Sequence, residues 1–363
     1  MTRLLVDLLF YTGKKGGMES SVRQVYPQIA ELRPGLEIIG FASRELVERG
    51  APWFPGELVA SGISGDDRVA WARGELLSVS RAARRLGADL VHAPANLGPV
   101  HAPVPMVVTI HDLLPFRHPE YLPGPYAPVL RWMNRRAALA ASRVLTVSEA
   151  TRDDIERLLH LDRDHIDVVP LAGGEVEASA TRVARRDNLL LSVGNRMPHK
   201  NFTGLLEAIA LIEPAGRPRL VITGSHGDDP LRADVARLDL GRSVELRGWL
   251  DSNELEQLYA SATAFVFPTR FEGFGLPPLE AMARGCPVIA SDLPVIHEVA
   301  GDAARYVDSR SPAAIANAIV EVLADSIERE RMSRRGLARA AEFSWRSTAA
   351  GTLRSFDRAL EGS

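Results

Sequence analysis

The side chains best suited to chemistry are two glutamates eight positions apart, Glu272 and Glu280, in a segment that also carries glycines and a proline pair. Gly273 and Gly275 tolerate backbone angles that other residues avoid, and proline is favoured at the start of a helix. A glycine loop that opens a helix presents free backbone N–H groups, which bind anions. We expect Glu280 in the first turn of that helix. Because carboxylates accept hydrogen bonds from hydroxyl groups, the segment predicts a site for a ligand that carries both phosphate and hydroxyl groups.

Two cations follow an apolar run earlier in the second half of the chain. Gly194 ends the run, and Arg196 and Lys200 come shortly after it. Cationic side chains at the end of a strand are placed to neutralise a diphosphate, although two ordinary surface cations would show the same spacing. Because the glutamate segment lies in the same half, we interpret the two cations as a diphosphate clamp.

Two weaker signals lie in the first half of the chain. Gly16 and Gly17 precede a predicted helix, whose N-terminus could face an anion. His111 and Asp112 come directly after an apolar run, where functional side chains gather in α/β proteins. Glycine pairs are common in strand-to-helix turns, and a histidine at a strand end is more often structural than catalytic. Alone, neither signal defines a site.

The elements that would position these residues are short apolar strands alternating with amphipathic helices. Continuous apolar strands separated by helices are typical of parallel sheets covered on both faces. The pattern runs twice, which predicts an α/β chain of two Rossmann-like, doubly wound domains with ligands beyond the carboxyl ends of the strands. The strand candidates are 4–9, 36–41, 90–92, 104–110, 143–147 and 166–169, then 189–193, 219–223, 244–246, 264–267, 287–290 and 304–307.

The composition changes between the two halves. Residues 173–187 combine glycines, small residues, acids and arginines without an apolar period, which is typical of a linker. We therefore predict a first domain over 1–172 and a second over 188–343. The length of 363 residues agrees with two domains of ordinary size.

Composition excludes several classes of protein. Hydrophobic residues make up 46% and charged residues 25% of the chain, and the net charge is −3, so we expect neither a disordered chain nor a nucleic-acid-binding one. Cys286 is the one cysteine, which excludes an internal disulfide and a cysteine-based zinc site and favours a reducing compartment. No apolar run is long enough to cross a membrane, and Asp7 interrupts the N-terminal one. We expect a cytoplasmic protein.

One predicted helix carries an unusual share of arginine. A solvated helix that packs on its sheet explains this pattern, and because the net charge is slightly negative we favour that interpretation. The alternative is a basic amphipathic helix lying on an anionic bilayer, which would give weak peripheral association at the inner face of the membrane. The segment 126–143 contains Arg131, Arg135, Arg136 and Arg143 together with Leu130, Trp132 and Met133.

At these motifs the chain resembles the retaining glycosyltransferases of family 4, which have the two-domain GT-B fold. Glu272 and Glu280 match the family's pair of glutamates separated by seven residues. The segments 111–120 and 146–151 are most similar to the mannosyltransferase-B-like branch. The resemblance covers nearly the whole chain. It implies two domains facing across a cleft, the first binding the acceptor and the second the nucleotide-sugar donor, with a final helix over 344–363 that crosses back to the first.

The resemblance also implies a role for each site residue. Glu280 would bind the ribose, Glu272 the hydroxyls of the donor sugar, and His111 would lie beside that sugar near the reacting carbon. Arg196 and Lys200 would neutralise the leaving diphosphate. Further donor-binding positions are Gly16, Gly17, Gly194, Thr223, Gly224, Gly248, Trp249, Phe274, Gly275 and Leu276.

One position departs from the family's pattern. The family's arginine often follows the glycine directly, whereas Asn195 holds that position here and Arg196 comes one residue later. Lys200 keeps the expected offset from Gly194, so Lys200 is the firmer assignment of the two cations.

The implied reaction moves a hexosyl group from a guanosine- or uridine-diphosphate sugar to a hydroxyl of a glycan, lipid-linked or small-molecule acceptor. The nucleotide sugar is a co-substrate, and we expect no cofactor and no metal. Asp162 and Asp164 imitate the metal motif of the other glycosyltransferase fold, but their position away from the phosphate motifs indicates a solvated turn. A sugar-nucleotide epimerase or hydrolase on the same fold, and a non-catalytic nucleotide-sugar-binding protein, are the alternatives.

Overall fold

The computed structural model describes residues 2–14, 16–122, 124, 126–174 and 188–362. The chain divides into two compact units, one formed by Met1–Leu171 with Trp345–Ser363 and the other by Ala172–Ser344. The linker predicted over 173–187 lies almost wholly outside the described residues. In the part of the chain that is described, no helix has both the length and the apolar composition that a membrane span requires.

The first unit is built on a parallel sheet that contains seven strands of the described residues. These are β1 (Arg3–Leu8), β2 (Glu37–Ala42), β3 (Glu57–Ala60), β4 (Leu90–Ala93), β5 (Met106–Ile110), β6 (Arg143–Thr146) and β7 (Ile166–Val168). Their order is β3-β2-β1-β4-β5-β6-β7. Successive strands are therefore added on one side of β1 up to β3 and on its other side from β4 onward, so the order of strands reverses between β1 and β4. The residues of β4 and β5 are buried throughout, because helices cover both faces of the sheet.

The helices of the first unit include the last helix of the chain. They are α1 (Gly17–Leu32), α2 (Arg44–Arg49), α3 (Arg68–Arg73), α4 (Val79–Arg85), α5 (Leu114–Arg117), α6 (Tyr126–Ala140), α7 (Glu149–Leu159) and α15 (Trp345–Glu361). The guanidinium of Arg33, at the end of α1, donates to the carboxylate of Asp357 on α15 at 2.6 Å. The Ser355 hydroxyl on α15 donates to Asp167 on β7 at 2.7 Å. These bonds fix α15 to α1 and to the sheet of the first unit.

A π-helical turn, Gly74–Ser78, joins α3 to α4. Residues 68–85 therefore form one continuous helical segment with a bulge in its middle. Glu75 lies in this turn, and its carboxylate accepts a hydrogen bond of 2.6 Å from the indole N–H of Trp71. The bulge turns an acidic side chain into the core, where Glu75 is 2% exposed.

The second unit contains a parallel sheet of six strands within the described residues. They are β8 (Leu189–Val193), β9 (Arg219–Ser225), β10 (Val244–Gly248), β11 (Ala264–Phe267), β12 (Val288–Ser291) and β13 (Ala304–Val307). The order β10-β9-β8-β11-β12-β13 reverses between β8 and β11. The helices are α8 (Phe202–Leu211), α9 (Arg232–Arg237), α10 (Ser252–Ser261), α11 (Leu276–Ala283), α12 (Pro294–Ala300), α13 (Pro312–Ala324) and α14 (Ser326–Ala340).

The predicted fold class, two Rossmann-like parallel-sheet domains, is confirmed. The predicted strands are all present within a few residues, but β3 and the short helices α2, α5 and α12 were not predicted. Strand β3 lies at the sheet edge and none of its four residues is buried, so it lacks the continuous apolar run that marks the other strands. The sequence predicted domains over 1–172 and 188–343 and a final helix over 344–363. In the structure the units divide after Leu171 and again after Ser344.

Candidate functional site

The candidate site of the second unit begins where the order of its strands reverses. The loops after β8 and β11 open side by side there, which is where open α/β sheets bind ligands. Lys200 ends a short 3-10 helix after β8, and Glu272 lies in the loop after β11. The Lys200 Nζ atom donates to Glu272 Oε1 at 2.7 Å. The structure thus brings together a cation and a carboxylate that are 72 positions apart in the chain.

The Lys200–Glu272 pair is held by its surroundings. The two side chains are 14% and 12% exposed, and the ammonium group lies 5.4 Å from the centre of the Phe267 ring. The next residue, Asn201, donates its side-chain amide to the carbonyl oxygens of Pro268 and Ser309, at 3.1 and 2.8 Å. Asn201, which was not predicted from sequence, therefore ties the Lys200 loop to the strand end that precedes Glu272.

The glycine loop leads from Glu272 into α11. Gly275 is the N-cap of α11 and has φ of +111°. Having no side chain, it does not cap the backbone N–H groups at the N-terminus of the helix. A residue with a side chain would be strained at this φ, and its Cβ atom would also lie 2.8 Å from Ile296 Cδ1. Since the following proline pair carries no N–H groups, the amides at the start of α11 that can meet an anion are those of Phe274, Gly275 and Leu276.

Glu280 lies in the second turn of α11 rather than the first, because the helix begins at Leu276. Its Oε2 atom accepts a hydrogen bond of 2.8 Å from the Tyr259 hydroxyl. Burial raises the pKa of Glu280 to about 7, although the Tyr259 hydroxyl and the Arg284 guanidinium both favour the carboxylate. Arg284 also donates to the Gly173 carbonyl oxygen at 2.6 Å and to Glu256. Glu280 is thus poised between its two protonation states near neutral pH.

Glycines bring the ends of β8 and β9 into close contact. A Cβ atom at Gly224, which has φ of +103°, would lie 2.6 Å from the carbonyl oxygen of Gly194. The Gly194 N–H donates to the Thr223 carbonyl at 3.1 Å, and the Thr223 hydroxyl donates to the Gly248 carbonyl at 2.7 Å. Hydrogen bonds therefore link three of the predicted donor-binding positions, Gly194, Thr223 and Gly248, at the ends of β8, β9 and β10, and Gly224 packs against Gly194 at the same edge.

Arg196 is held within the protein. Its Nε and Nη2 atoms donate to Asp229, the shortest of these bonds being 2.6 Å, and the two side chains are 8% and 5% exposed. Its Nη1 atom donates to the carbonyl oxygens of Gly194 and Thr223, at 2.9 and 3.1 Å. The guanidinium thus braces the ends of β8 and β9, and only Lys200 of the two predicted clamp cations is joined to Glu272.

Trp249 lies just after β10 and is 46% exposed. Its ring stacks on the His226 ring, with centroids 4.9 Å apart and planes 14° from parallel. His226 follows β9 directly and was not predicted from sequence as a site residue. An exposed, nearly parallel pair of rings at two neighbouring strand ends gives a flat surface on which another planar group could stack.

The predicted glycine pair of the first unit lies at the start of α1. Gly16 is the N-cap, with φ of +59°, and α1 begins at Gly17. Glu19 was missed by the sequence analysis, and it is 5% exposed. Its Oε1 atom accepts hydrogen bonds from the backbone N–H groups of Thr12 and Gly13, at 2.6 and 2.9 Å. The first turn of α1 thereby fixes the loop that follows β1.

His111 lies at the end of β5 in the first unit. Its Nε2 atom donates to the Pro94 carbonyl oxygen at 2.9 Å, and its backbone N–H donates to Asn96 Oδ1 at 2.6 Å. Burial lowers the pKa of His111, so the neutral ring with its free Nδ1 atom is favoured at neutral pH. The neighbouring Asp112 accepts from the Leu114 backbone N–H at 2.9 Å and so caps a turn.

A small cavity of about 30 Å³ lies beside His111 within the first unit. His92 forms part of its wall and is bracketed by the Tyr26 hydroxyl at 2.7 Å and the Thr109 hydroxyl at 2.8 Å. Burial lowers the pKa of His92 to about 3, which makes this histidine a neutral core residue. Directly before β7, Asp162 caps a short 3-10 helix that has no buried residue, in agreement with the predicted solvated turn.

Comparison with known proteins identifies the family. The chain matches the models "Glycosyltransferase Family 4" over residues 15–172 and "Glycosyl transferases group 1" over residues 176–339. It is 33% identical to O-antigen chain mannosyltransferase B of Escherichia coli over 282 residues, which are 74% of each chain. The chain therefore belongs to glycosyltransferase family 4, and it is a glycosyltransferase. The resemblance to the mannosyltransferase-B-like branch is likewise confirmed.

Solved structures agree with this assignment at the level of the fold. Sucrose-phosphate synthase from Thermosynechococcus elongatus aligns with a TM-score of 0.80 at 19% identity, covering 100% of both chains. HepE of Anabaena, solved in complex with UDP-glucose, aligns with a TM-score of 0.75 at 17% identity, covering 98% of this chain and 100% of that one. The two parallel-sheet units thus match the GT-B glycosyltransferase fold.

Proposed function

We propose that this glycosyltransferase moves a mannosyl or related hexosyl group from a nucleoside-diphosphate sugar to an acceptor hydroxyl, with retention of configuration at the transferred carbon. The observation that carries this proposal is the Lys200–Glu272 pair, which lies at the reversal of strand order beside the amides that open α11. Cation, amides and carboxylate together suit a ligand that joins a diphosphate to a sugar.

The main catalytic demand is the negative charge that develops on the leaving diphosphate. Lys200 and the amides of Phe274, Gly275 and Leu276 provide positive charge that is fixed before the reaction begins, which is the most effective form of electrostatic stabilisation. We assign the role of diphosphate cation to Lys200 alone. Arg196 keeps a supporting role, because its donors are already bound to Asp229 and to backbone carbonyls.

The two glutamates bind different parts of the donor in this proposal. Glu272 accepts hydrogen bonds from hydroxyl groups of the donor sugar, next to the Lys200 ammonium that meets the diphosphate. Glu280 accepts from the ribose hydroxyls as a carboxylate. The exposed face of Trp249 supports the nucleobase by stacking. The family resemblance further assigns His111 to the donor sugar and Gly16 and Gly17 to the diphosphate, and we keep these roles as part of the proposal.

The proposed reaction needs neither a protein nucleophile nor a metal. The bond between the sugar's anomeric carbon and the β-phosphate oxygen breaks, and the acceptor oxygen bonds to the same face of that carbon. The proton of the acceptor hydroxyl passes to the leaving phosphate oxygen. Lys200 supplies the positive charge that this transfer requires, so activity should persist in the presence of a chelator such as EDTA.

The relatives support a hexose as the transferred group. O-antigen chain mannosyltransferase B supports mannose as the transferred group, and the HepE complex shows UDP-glucose on the same fold at 17% identity. We propose a guanosine- or uridine-diphosphate hexose as donor. We further propose a glycan, a glycolipid or a small-molecule natural product as acceptor, and a cytoplasmic site of action, where nucleotide sugars are used.

A thermal-shift screen over nucleoside diphosphates and their sugars tests the proposal. A ligand that binds the folded state and not the unfolded state raises the melting temperature by mass action. We therefore expect one nucleoside diphosphate, and the nucleotide sugar derived from it, to stabilise the chain selectively. The stabilising donor should then be hydrolysed slowly without acceptor, and Lys200→Ala should reduce both the thermal shift and the hydrolysis. If no nucleoside diphosphate shifts the melting temperature and no donor is turned over, the proposal is wrong.

A further inference from the structure

Two helical segments of the first unit concentrate arginine. The segment 68–85 carries five arginines and α6 carries three, whereas Glu75 is the one acidic residue in either and is 2% exposed. Within the described residues, no ion pair joins any of the eight to a carboxylate. All but Arg131 are exposed. The arginines are Arg68, Arg73, Arg81, Arg84, Arg85, Arg131, Arg135 and Arg136.

Large apolar side chains are exposed among these arginines. On α6, Val129, Trp132 and Leu139 are 47%, 51% and 51% exposed. Their spacing of three and seven residues places them on one side of the helix, together with Arg136. Met133 is 2% exposed and faces the core, so the stripe differs from the group chosen by sequence. On the other segment, Val69 and Leu77 are 64% and 51% exposed.

The two segments present their exposed sides on the same side of the unit. The Arg68 guanidinium lies 4.7 Å from the centre of the Tyr126 ring, which joins the start of α3 to the start of α6. Ala82 of α4 and Ala137 of α6 are buried in one hydrophobic cluster against the sheet. Because both helices bury their inner sides in this one cluster, their outer sides belong to the same surface of the unit. We call this surface, the eight arginines with the five exposed apolar side chains, the arginine face.

We propose that the arginine face docks on the surface of an anionic lipid bilayer. Arginine stems lie along apolar surface while the guanidinium groups reach phosphate headgroups. Tryptophan with aliphatic side chains inserts at the level of the headgroups, where Trp132 would find both an apolar and a polar environment. The chain is net −3, so this positive charge is a local concentration on one surface rather than a property of the whole protein.

The apolar stripe decides between a bilayer and a soluble polyanion. A nucleic acid or an inorganic polyphosphate would be bound by the arginines alone, since nothing in such a ligand accepts Val129 and Leu139. A bilayer offers both anionic headgroups and apolar acyl chains to the same face. This inference is independent of the proposed donor and acceptor, because no residue of the arginine face belongs to the candidate site.

Co-sedimentation of the full chain with vesicles tests the proposal. We expect binding to vesicles of phosphatidylcholine with phosphatidylglycerol and little binding to phosphatidylcholine alone. The triple variant Arg131→Gln, Arg135→Gln, Arg136→Gln should weaken partitioning about fivefold for each arginine removed, hence about a hundredfold in all. High salt should release the protein, because the Debye length falls to about 3 Å at 1 M.

A matched control separates the arginine face from charge in general. The triple variant Arg331→Gln, Arg334→Gln, Arg335→Gln makes the same change in net charge on α14 of the second unit, where these arginines pair with glutamates. It should bind vesicles like the wild-type chain. Equal loss of binding in the two triple variants, or retention of binding in both, would overturn the proposal.

Quenching by brominated lipid tests the apolar part. The chain has five tryptophans, and we expect bromine in the acyl chains to quench fluorescence that is lost in Trp132→Phe. Undiminished quenching in Trp132→Phe would contradict the assignment of α6 to the bilayer. Binding of inorganic polyphosphate to the arginine face without any vesicle binding would also overturn the proposal and favour a soluble polyanion.

Discussion

Lys200 and Glu272 form an ion pair of 2.7 Å that joins the loops on either side of the strand reversal in the second unit. The pair is nearly enclosed, with side chains 14% and 12% exposed, so each group holds the other in place before any ligand arrives. A cation that is already oriented does not have to be reorganised when charge develops. The arrangement also places a hydroxyl-binding carboxylate next to the proposed diphosphate position.

This pairing predicts that only one of its two members is needed for nucleotide binding. Lys200→Ala should lower turnover by about two orders of magnitude or more and weaken binding of the nucleoside diphosphate, because the cation is lost. Glu272→Gln breaks the same ion pair but keeps the cation, so it should lower turnover while nucleoside-diphosphate affinity is maintained. Calorimetry with the nucleotide alone and steady-state kinetics measure the two effects. Equal loss of nucleotide affinity in both variants would contradict the assignment.

The buried Arg196–Asp229 pair predicts a loss of stability rather than of chemistry. Removal of one partner from a buried ion pair typically costs about 3–5 kcal/mol, and lysine cannot replace the forked geometry of arginine. Arg196→Lys and Asp229→Asn should therefore lower the free energy of unfolding by similar amounts in urea denaturation. The folded fraction of each variant should keep most of its turnover. A stable Arg196→Lys variant with turnover reduced a hundredfold would instead restore Arg196 to the diphosphate clamp.

Site residues can be predicted from sequence where they directly follow an apolar strand. Residues that only contact them from elsewhere in the chain cannot. Lys200 and Glu272 each follow an apolar strand, so the rule for strand ends in α/β folds places both at one edge. Asp229 and Tyr259 were missed, because they act as partners of Arg196 and Glu280 from 33 and 21 positions away. Nothing in a linear pattern shows such a distant contact.

The elements that were not predicted lack a continuous or periodic apolar pattern. Strand β3 was missed because its residues are partly exposed at a sheet edge, and apolar continuity marks only strands that are covered on both faces. Helix α12 has seven residues, which is too short for a helical period to be recognised. The exposure of Trp132 and the burial of Met133 depend on the rotation of α6 against the sheet, and this orientation appears only in the structure.

The raised pKa of Glu280 predicts that nucleotide affinity increases with pH. With a pKa of about 7, roughly a tenth of the free protein carries the Glu280 carboxylate at pH 6 and roughly nine tenths at pH 8. A ribose-binding carboxylate should therefore bind the nucleotide about tenfold more tightly at pH 8. Glu280→Gln should flatten this dependence in calorimetric titrations with the nucleotide sugar, because its phosphates, unlike the terminal phosphate of a free nucleoside diphosphate, do not titrate in this range. Tyr259→Phe should shift it to higher pH, since the lost hydrogen bond favoured the carboxylate. A pH dependence that persists in Glu280→Gln would contradict the ribose role.

The same pKa predicts the pH dependence of stability in the nucleotide-free protein. The folded state holds the Glu280 proton up to about pH 7, whereas the unfolded chain releases it near pH 4.5. The contribution of this group is therefore complete below pH 4.5 and is lost as the pH rises to about 7, by on the order of 3 kcal/mol. The difference in unfolding free energy between wild type and Glu280→Gln, measured from pH 5 to 8, should fall along this curve. A constant difference would show that Glu280 titrates normally.

The contact between Gly194 and Gly224 predicts a sharp effect of one methyl group. In Gly224→Ala the new Cβ atom would meet the Gly194 carbonyl oxygen at 2.6 Å, at a residue with φ of +103°. Steric overlap and backbone strain each cost about 1–3 kcal/mol. They can be relieved only if the ends of β8 and β9 separate, which would displace the loop that carries Lys200.

Gly241→Ala is the matched control, because its Cβ atom would meet nothing within 4 Å. We expect Gly224→Ala to lower both the melting temperature and nucleotide affinity, whereas Gly241→Ala should leave both near the wild-type values. Wild-type nucleotide affinity in Gly224→Ala would show that the close approach of these two strand ends is not needed to position the site.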